Sequence, residues 1–294
     1  MRRYLNTAFS LLLHVLTVLA VLALAFVLYF IVREALPVFQ EVGLGEFLLG
    51  TRWMPVGYAG EPSFGIFHFI LGTLYVSFVA MVLAVAVGLG AAVFLSCAAS
   101  ERTRRLLYPF VDLLAGIPSV VYGFIGLTVL VKVFLKAGVS TGSCVLAAGI
   151  LLAVMLLPYL VSSCGDTLLK ARRLYLPASE ALGVSRWYAV AAVILPASWR
   201  NLLLSMVLAV GRAMGETMAV MMVMGNANLF PTLLGKGESI AALIALEMGT
   251  AEAGGTHYHA LYAAGLVLLL LVLLIQGAIA LLRKKLLRGE EGRL

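Results

Sequence analysis

An all-α integral membrane protein with six transmembrane helices is predicted by three observations. Of 294 residues, 63% are hydrophobic and only 12% charged, with a mean hydropathy of +1.06, a composition foreign to water-soluble domains of this length. Apolar runs near 8–32, 68–96, 110–135, 143–163, 199–224 and 260–282 each reach the ~20 residues that a helix needs to cross a bilayer. The basic residues fall in short clusters between these runs. The net charge of +7 therefore reads as loops lying against a membrane surface, with no nucleic-acid partner.

The first run follows Arg2 and Arg3 and exceeds the roughly 7–15 residues of a signal-peptide core, so it is expected to stay as an uncleaved anchor helix, 1–32. Six spans put both termini on one side with the segments 97–109 and 164–198. That side carries Arg102, Arg104, Arg105, Lys170, Arg172, Arg173 and Arg186, and at the tail Arg283, Lys284, Lys285, Arg288 and Arg293. The other side carries Arg33, Arg52, Lys136 and Lys236 against seven glutamates, Glu34 to Glu252. The positive-inside rule then places both termini in the cytoplasm.

Two external segments are long, 33–67 and 225–259. In the second, Ser239 to Met248 reads as a short helix capped by Ser239, lying along the outer interface or packed as an ordinary loop helix. His257 and His259 supply at most half of a metal site, and no metal is expected. Cys97, Cys144 and Cys164 sit near run ends without ligand spacing and read as packing residues. Asp112 and Asp166 also lie near span ends, lack partners at catalytic spacing and read as interfacial caps.

The segment between the fourth and fifth runs reads as helix, sharp turn, helix. Gly183 suits the left-handed position after a helix end, Ser185 can cap the next helix, and Pro196 is expected to stop that helix before the fifth span. An exposed Arg186-Trp187 tip offers an aromatic and a cation to a partner's groove, unless the hairpin packs on its own bundle.

The fifth run holds two opposite charges, Arg212 and Glu216. On a continuous helix they share one face, near the bilayer midplane if the span begins at Trp199. Each costs roughly 2.5–3.5 kcal/mol there on insertion scales, so such residues face a protein interior or a watery path. Arg212 suits a passing oxyanion, since its guanidinium stays charged and engages two oxygens. Glu216 is expected to brace it, with Thr217 and Asn226 as neutral donors nearer the outer mouth. The packing alternative makes the pair a salt bridge, with Gly211 and Gly215 as a small-residue contact strip.

The spacing from Gly183 to Val193-Ile194-Leu195-Pro196 is similar to the cytoplasmic coupling loop of ATP-binding-cassette importer permeases. Gly211-Arg212-Ala213-Met214-Gly215-Glu216-Thr217-Met218-Ala219-Val220 with Gly225-Asn226, Ala115-Gly116-Ile117-Pro118-Ser119 through Gly123, and Trp53-Met54-Pro55 with Phe64-Gly65 and Gly72-Thr73-Leu74 narrow the resemblance. Over roughly 45–285 the chain resembles phosphate-specific permeases of the PstC type, inner-membrane components of binding-protein-dependent transport. The resemblance implies a type I, MetI-like bundle: a permease core at 68–285 with the coupling loop 170–196, and a cytoplasmic tail at 286–294. It implies a subunit that forms the path for inorganic phosphate in a bacterial or archaeal inner membrane. Implied partners are a second, related permease, two ATP-binding subunits and an external phosphate-binding protein. Coupling falls to Glu180, Gly183, Ser185, Arg186 and Trp187. One departure stands out: Pro177 occupies the position of the family's usual coupling glutamate, and Glu180 follows one turn later.

The chain has no phosphate-cradling loop of its own. Gly235-Lys236-Gly237 has Phe230 where the first glycine belongs and lacks the following hydroxyl. No cofactor is therefore expected here, with ATP and magnesium on a partner, and no enzymatic activity. Permeases for sulfate, molybdate or tungstate fit the same topology. An ion-driven secondary transporter should show an internal repeat, which is not seen between 1–140 and 141–294.

Overall fold

The computed structural model describes the backbone of residues 2–56 and 61–291 and the side chains of residues 9–56 and 61–281. The side chains of Arg2, Arg3, Arg283, Lys284, Lys285 and Arg288, and the whole of Arg293, fall outside the described residues. The described chain is mostly helical, with one two-stranded antiparallel sheet and non-helical connections such as 137–144 and 225–239. Six of its helical stretches are long and apolar enough to cross a membrane: Phe9–Glu41, Phe67–Ala98, Ser119–Lys136, Val145–Ala181, Arg186–Gly215 and Thr256–Leu281.

The chain divides into two compact units, Met1–Ile66 with Glu247–Leu268, and Phe67–Leu246 with Leu269–Leu294. In the first unit, helix α1 (Arg2–Glu41) has exposed apolar side chains from Phe9 to Val27, as a lipid-facing anchor requires. Helix α2 (Leu44–Leu49) leads to strands β1 (Trp53–Met54) and β2 (Ser63–Phe64), antiparallel with Trp53 opposite Phe64. Three glutamates of this unit, Glu34, Glu41 and Glu247, have side-chain partners. Glu247 Oε2 accepts from Trp53 Nε1 at 2.9 Å and lies 2.8 Å from His257 Nε2. His259 Nδ1 lies 2.8 Å from the Glu34 carbonyl. The two histidines thus pair with carboxylate and backbone, and the described residues contain no metal-ligand cluster.

The second unit is built on helices α3 (Phe67–Val93) and α7 (Val145–Ala181), packed lengthwise. Small residues set the approach. A Cβ on Gly149 would stand 2.5 Å from Val79 Cγ1, and one on Gly88 3.1 Å from Leu160 Cβ. In a lipid-embedded bundle such close backbones supply the dispersion contact that hydrophobic burial does not. Between them run α4 (Glu101–Gly116), α5 (Ser119–Ile125) and α6 (Val131–Lys136). The third span therefore begins at Ser119 and not at 110. Ile117 is extended, as a residue before proline prefers, and the helix restarts at Pro118-Ser119. All three cysteines are free and buried, and Cys144 Sγ accepts from Ala147 N at 3.4 Å at the start of α7.

Two boundaries differ from the sequence expectation. The helix of the fourth span runs on without a break past the apolar run that ends near 163: α7 continues to Ala181, with Leu168, Leu176 and Ser179 buried along one stripe. A helix satisfies its own backbone in lipid and in water alike, so leaving the membrane gives no reason to stop. Nor does Pro196 end a helix. Helix α8 (Arg186–Ala189) passes through a π-helical segment, Val190–Ile194, into α9 (Leu195–Gly215). Pro196 follows directly on that π-helical segment, a local departure from i→i−4 bonding of the kind that accompanies a proline within a helix.

After α9 come α10 (Met218–Met224) and α11 (Ile240–Glu247). Helix α11 starts where predicted, with Ser239 Oγ accepting from Ala242 N at 3.2 Å. It is a packed helix, its Ile240, Ala242 and Leu243 fully buried and its Ile240 N–H donating to Thr73 Oγ1 at 3.0 Å. Gly72 permits this docking, because a Cβ there would lie 2.1 Å from the Glu238 carbonyl oxygen. The long helix α12 (Thr256–Glu291) closes the chain.

Candidate functional site

The fifth span is interrupted between its two charges. Helix α9 ends at Gly215, Glu216 is extended (φ −71°, ψ 120°), and α10 starts at Met218. Arg212 and Glu216 therefore do not share a helical face, and no ion pair joins them among the described residues. Glu216 turns to the next helix instead, its Oε1 accepting from Ala219 N at 3.4 Å, so a carboxylate sits at a helix N-terminus that favours negative charge. Irregular backbone at membrane depth is tolerated where it lines a cavity.

Arg212 opens into such a cavity, about 370 Å³ in volume, lined also by Ala115, Met155, Pro158, Tyr159, Ser162, Ser163 and Asp166. The polar members from α7 lie at positions i, i+3, i+4 and i+7 from Tyr159, a polar stripe on one helix face. Ser205 Oγ donates to the Asn201 carbonyl at 3.1 Å, so across the 2.7 Å contact Ser163 is the donor and Ser205 the acceptor. That bond ties α7 to α9, while the Tyr159 and Ser162 hydroxyls have no hydrogen-bond partner among the described residues. Arg212 and Asp166 have no hydrogen-bond or ion-pair partner among the described residues. Asp166 lies within α7 and lines the cavity.

Of the four residues expected along the path, only Arg212 lines this cavity. Thr217 Oγ1 donates to the Gly215 carbonyl at 3.3 Å, bridging the helix break. Asn226 adopts a left-handed conformation, φ 44°, after Gly225 at φ 99°, a backbone state that asparagine tolerates better than most residues. The expected glycine strip is half present. A Cβ on Gly211 would stand 2.3 Å from Gln276 Nε2, whereas Gly215 has open space around it.

At the other end of α7 the predicted turn forms. Gly183 has φ 74°, and Ser185 Oγ accepts from Tyr188 N at 3.4 Å. Trp187 and Tyr188 project, 65% and 64% exposed. Arg186 is tied inward, with Nη2 donating to the Cys97 carbonyl at 2.7 Å. Arg172 Nη1 donates to the neighbouring Ser96 carbonyl, also at 2.7 Å. Both carbonyls belong to the π-helical segment Phe94–Ala98 that ends α3, where helix carbonyls lack intrahelical donors and attract cations. Sequence reading missed Arg172, since nothing local links it to residue 96. Glu180 is exposed and lines a cavity of about 450 Å³ with Glu101, Arg104, Arg172, Arg173 and Pro177. Glu101 bonds Arg104 and Arg105; desolvation raises its pKa, but the two guanidiniums outweigh it and hold the carboxyl below its ordinary value.

Residues 84–288 match the family of binding-protein-dependent transport system inner membrane components, and the chain belongs to that family. Among relatives, the phosphate transport system permease protein PstC of Xylella fastidiosa is 35% identical over 91% of this chain and 89% of its own. The probable ABC transporter permease protein YqgH of Bacillus subtilis is 36% identical over 77% of this chain and 73% of its own. The probable PstC of Methanocaldococcus jannaschii is 30% identical over 88% and 86%. The fold is similar to that of the MetNI methionine ABC transporter in inward-facing crystal forms. One such chain superposes with a TM-score of 0.58 at 22% identity, over 74% of this chain and 93% of that one. The six-helix, MetI-type permease bundle expected from sequence is thus the fold of this chain.

Proposed function

We propose that this chain is a permease subunit of an ATP-driven importer for inorganic phosphate, with the Arg212 cavity as its anion contact. The observation that carries the reading is a guanidinium without an ion-pair partner, opening into a cavity with free Tyr159 and Ser162 hydroxyls. The printed names of the PstC relatives favour phosphate. An unpaired cation costs several kcal/mol in a low-dielectric layer and is useful where an anion must be desolvated briefly and released. Both termini lie in the cytoplasm, in a bacterial or archaeal inner membrane. ATP and magnesium bind to two partner subunits, a related permease completes the path, and an external binding protein delivers the ion.

The coupling segment is the α7–α8 turn. Trp187 and Tyr188 face the ATPase, while Arg186 and Arg172 hold the tip to the end of α3, so motion at the tip is passed to the bundle.

The test is phosphate uptake by the complete transporter in proteoliposomes. Arg212→Gln should assemble with its partners and reduce uptake to background. Uptake at the wild-type rate would overturn the pathway assignment.

A further inference from the structure

Resting on the pathway reading above, we propose that Asp166 makes the Arg212 cavity selective for oxyanions that still carry a proton. Phosphate and arsenate pass; sulfate, molybdate and tungstate are refused. The donors in the cavity are the Arg212 guanidinium and the Tyr159 and Ser162 hydroxyls, while Asp166 shares the same lining and, ionised, can only accept. An anion entering this space offers acceptor oxygens to Arg212, Tyr159 and Ser162. Towards Asp166 it must present a donor.

Phosphate near neutral pH keeps at least one P–OH, which meets that need. A fully deprotonated oxyanion has no hydrogen to give and sets its lone pairs against those of the carboxylate, which are likewise acceptors only. A site built to bond a substrate O–H rejects an analogue lacking it far more strongly than a site differing only in shape. Glu216 does not line the cavity, its Oε1 accepting from Ala219 N instead. With one positive and one negative side chain, the cavity also favours the monoanion over the dianion.

The experiment measures phosphate uptake by the complete transporter in proteoliposomes across the pH range in which phosphate loses its second proton, for wild type, Asp166→Asn and Asp166→Glu. The pH dependence of the external binding protein is common to all three, so ratios to wild type isolate the cavity. Wild type and Asp166→Glu should lose uptake several-fold as the monoanion disappears. Asp166→Asn, whose amide can also donate, should show a flatter profile and become inhibited by excess sulfate on either side of the membrane. If Asp166→Asn does not assemble, Asp166→Ser serves as the neutral variant with the same expected profile. A neutral variant that keeps both the wild-type slope and its indifference to sulfate, while Arg212→Gln is inactive, overturns the Asp166 assignment and leaves the pathway reading standing. An active Arg212→Gln overturns the pathway reading itself.

Discussion

Arg172 and Arg186, at the α7–α8 turn, differ from Arg212, at the end of α9, in what their charges meet. Each of the first two gives a 2.7 Å hydrogen bond to a carbonyl at the end of α3. Arg212 meets a cavity. A guanidinium that binds the orphan carbonyls of a helix end is a structural strut, and its charge is used up in the fold. One left open beside free hydroxyls is reserved for something that is not part of the chain.

Three variants would break or sharpen that contrast, beyond the loss of uptake expected for Arg212→Gln. The next largest effect belongs to the exposed tip. Replacing Trp187 and Tyr188 together with Ala should leave the fold intact, since both are mostly exposed, yet release the ATPase subunits or uncouple hydrolysis from uptake. Co-purification and ATPase stimulation check this, and full coupling in the double variant would mean that the tip is not a docking element. Arg172→Ala should instead act on stability. Losing a charged hydrogen bond to a buried carbonyl costs about 1.5–3 kcal/mol, readable as a lower Tm of the purified complex with its substrate preference unchanged. Smallest, Gly211→Ala should cost about 1–3 kcal/mol by overpacking against Gln276, offset wherever the Gln276 side chain swings aside. An equal loss of uptake from Gly211→Ala and Arg212→Gln would argue that packing, not charge, is what matters at this end of α9.

Much of this arrangement was legible in the chain. The six spans follow from apolar run length, and the Gly183 turn and Ser185 cap follow from local backbone preference. Pairing Arg212 with Glu216 failed because it assumed one unbroken helix: four-residue spacing brings side chains together only while the helix continues, and it ends at Gly215. Asp166, near the end of the fourth apolar run, joins Tyr159, Ser162 and Ser163 on one polar face of α7. That stripe was present in the sequence and went unread because the neighbouring residues are apolar on every other side.

The sequence by itself determined that the chain lives in a membrane, how many times it crosses, and where the hairpin between the fourth and fifth spans turns, because these depend on hydrophobicity and local conformation alone. Only the tertiary structure decided which charges are spent and which are free. Arg172 reaches a carbonyl 76 positions away and Arg186 one 89 positions away, while Arg212 shares its cavity with Asp166 from another helix. Such pairings arise from packing between distant segments, and linear spacing carries no record of them.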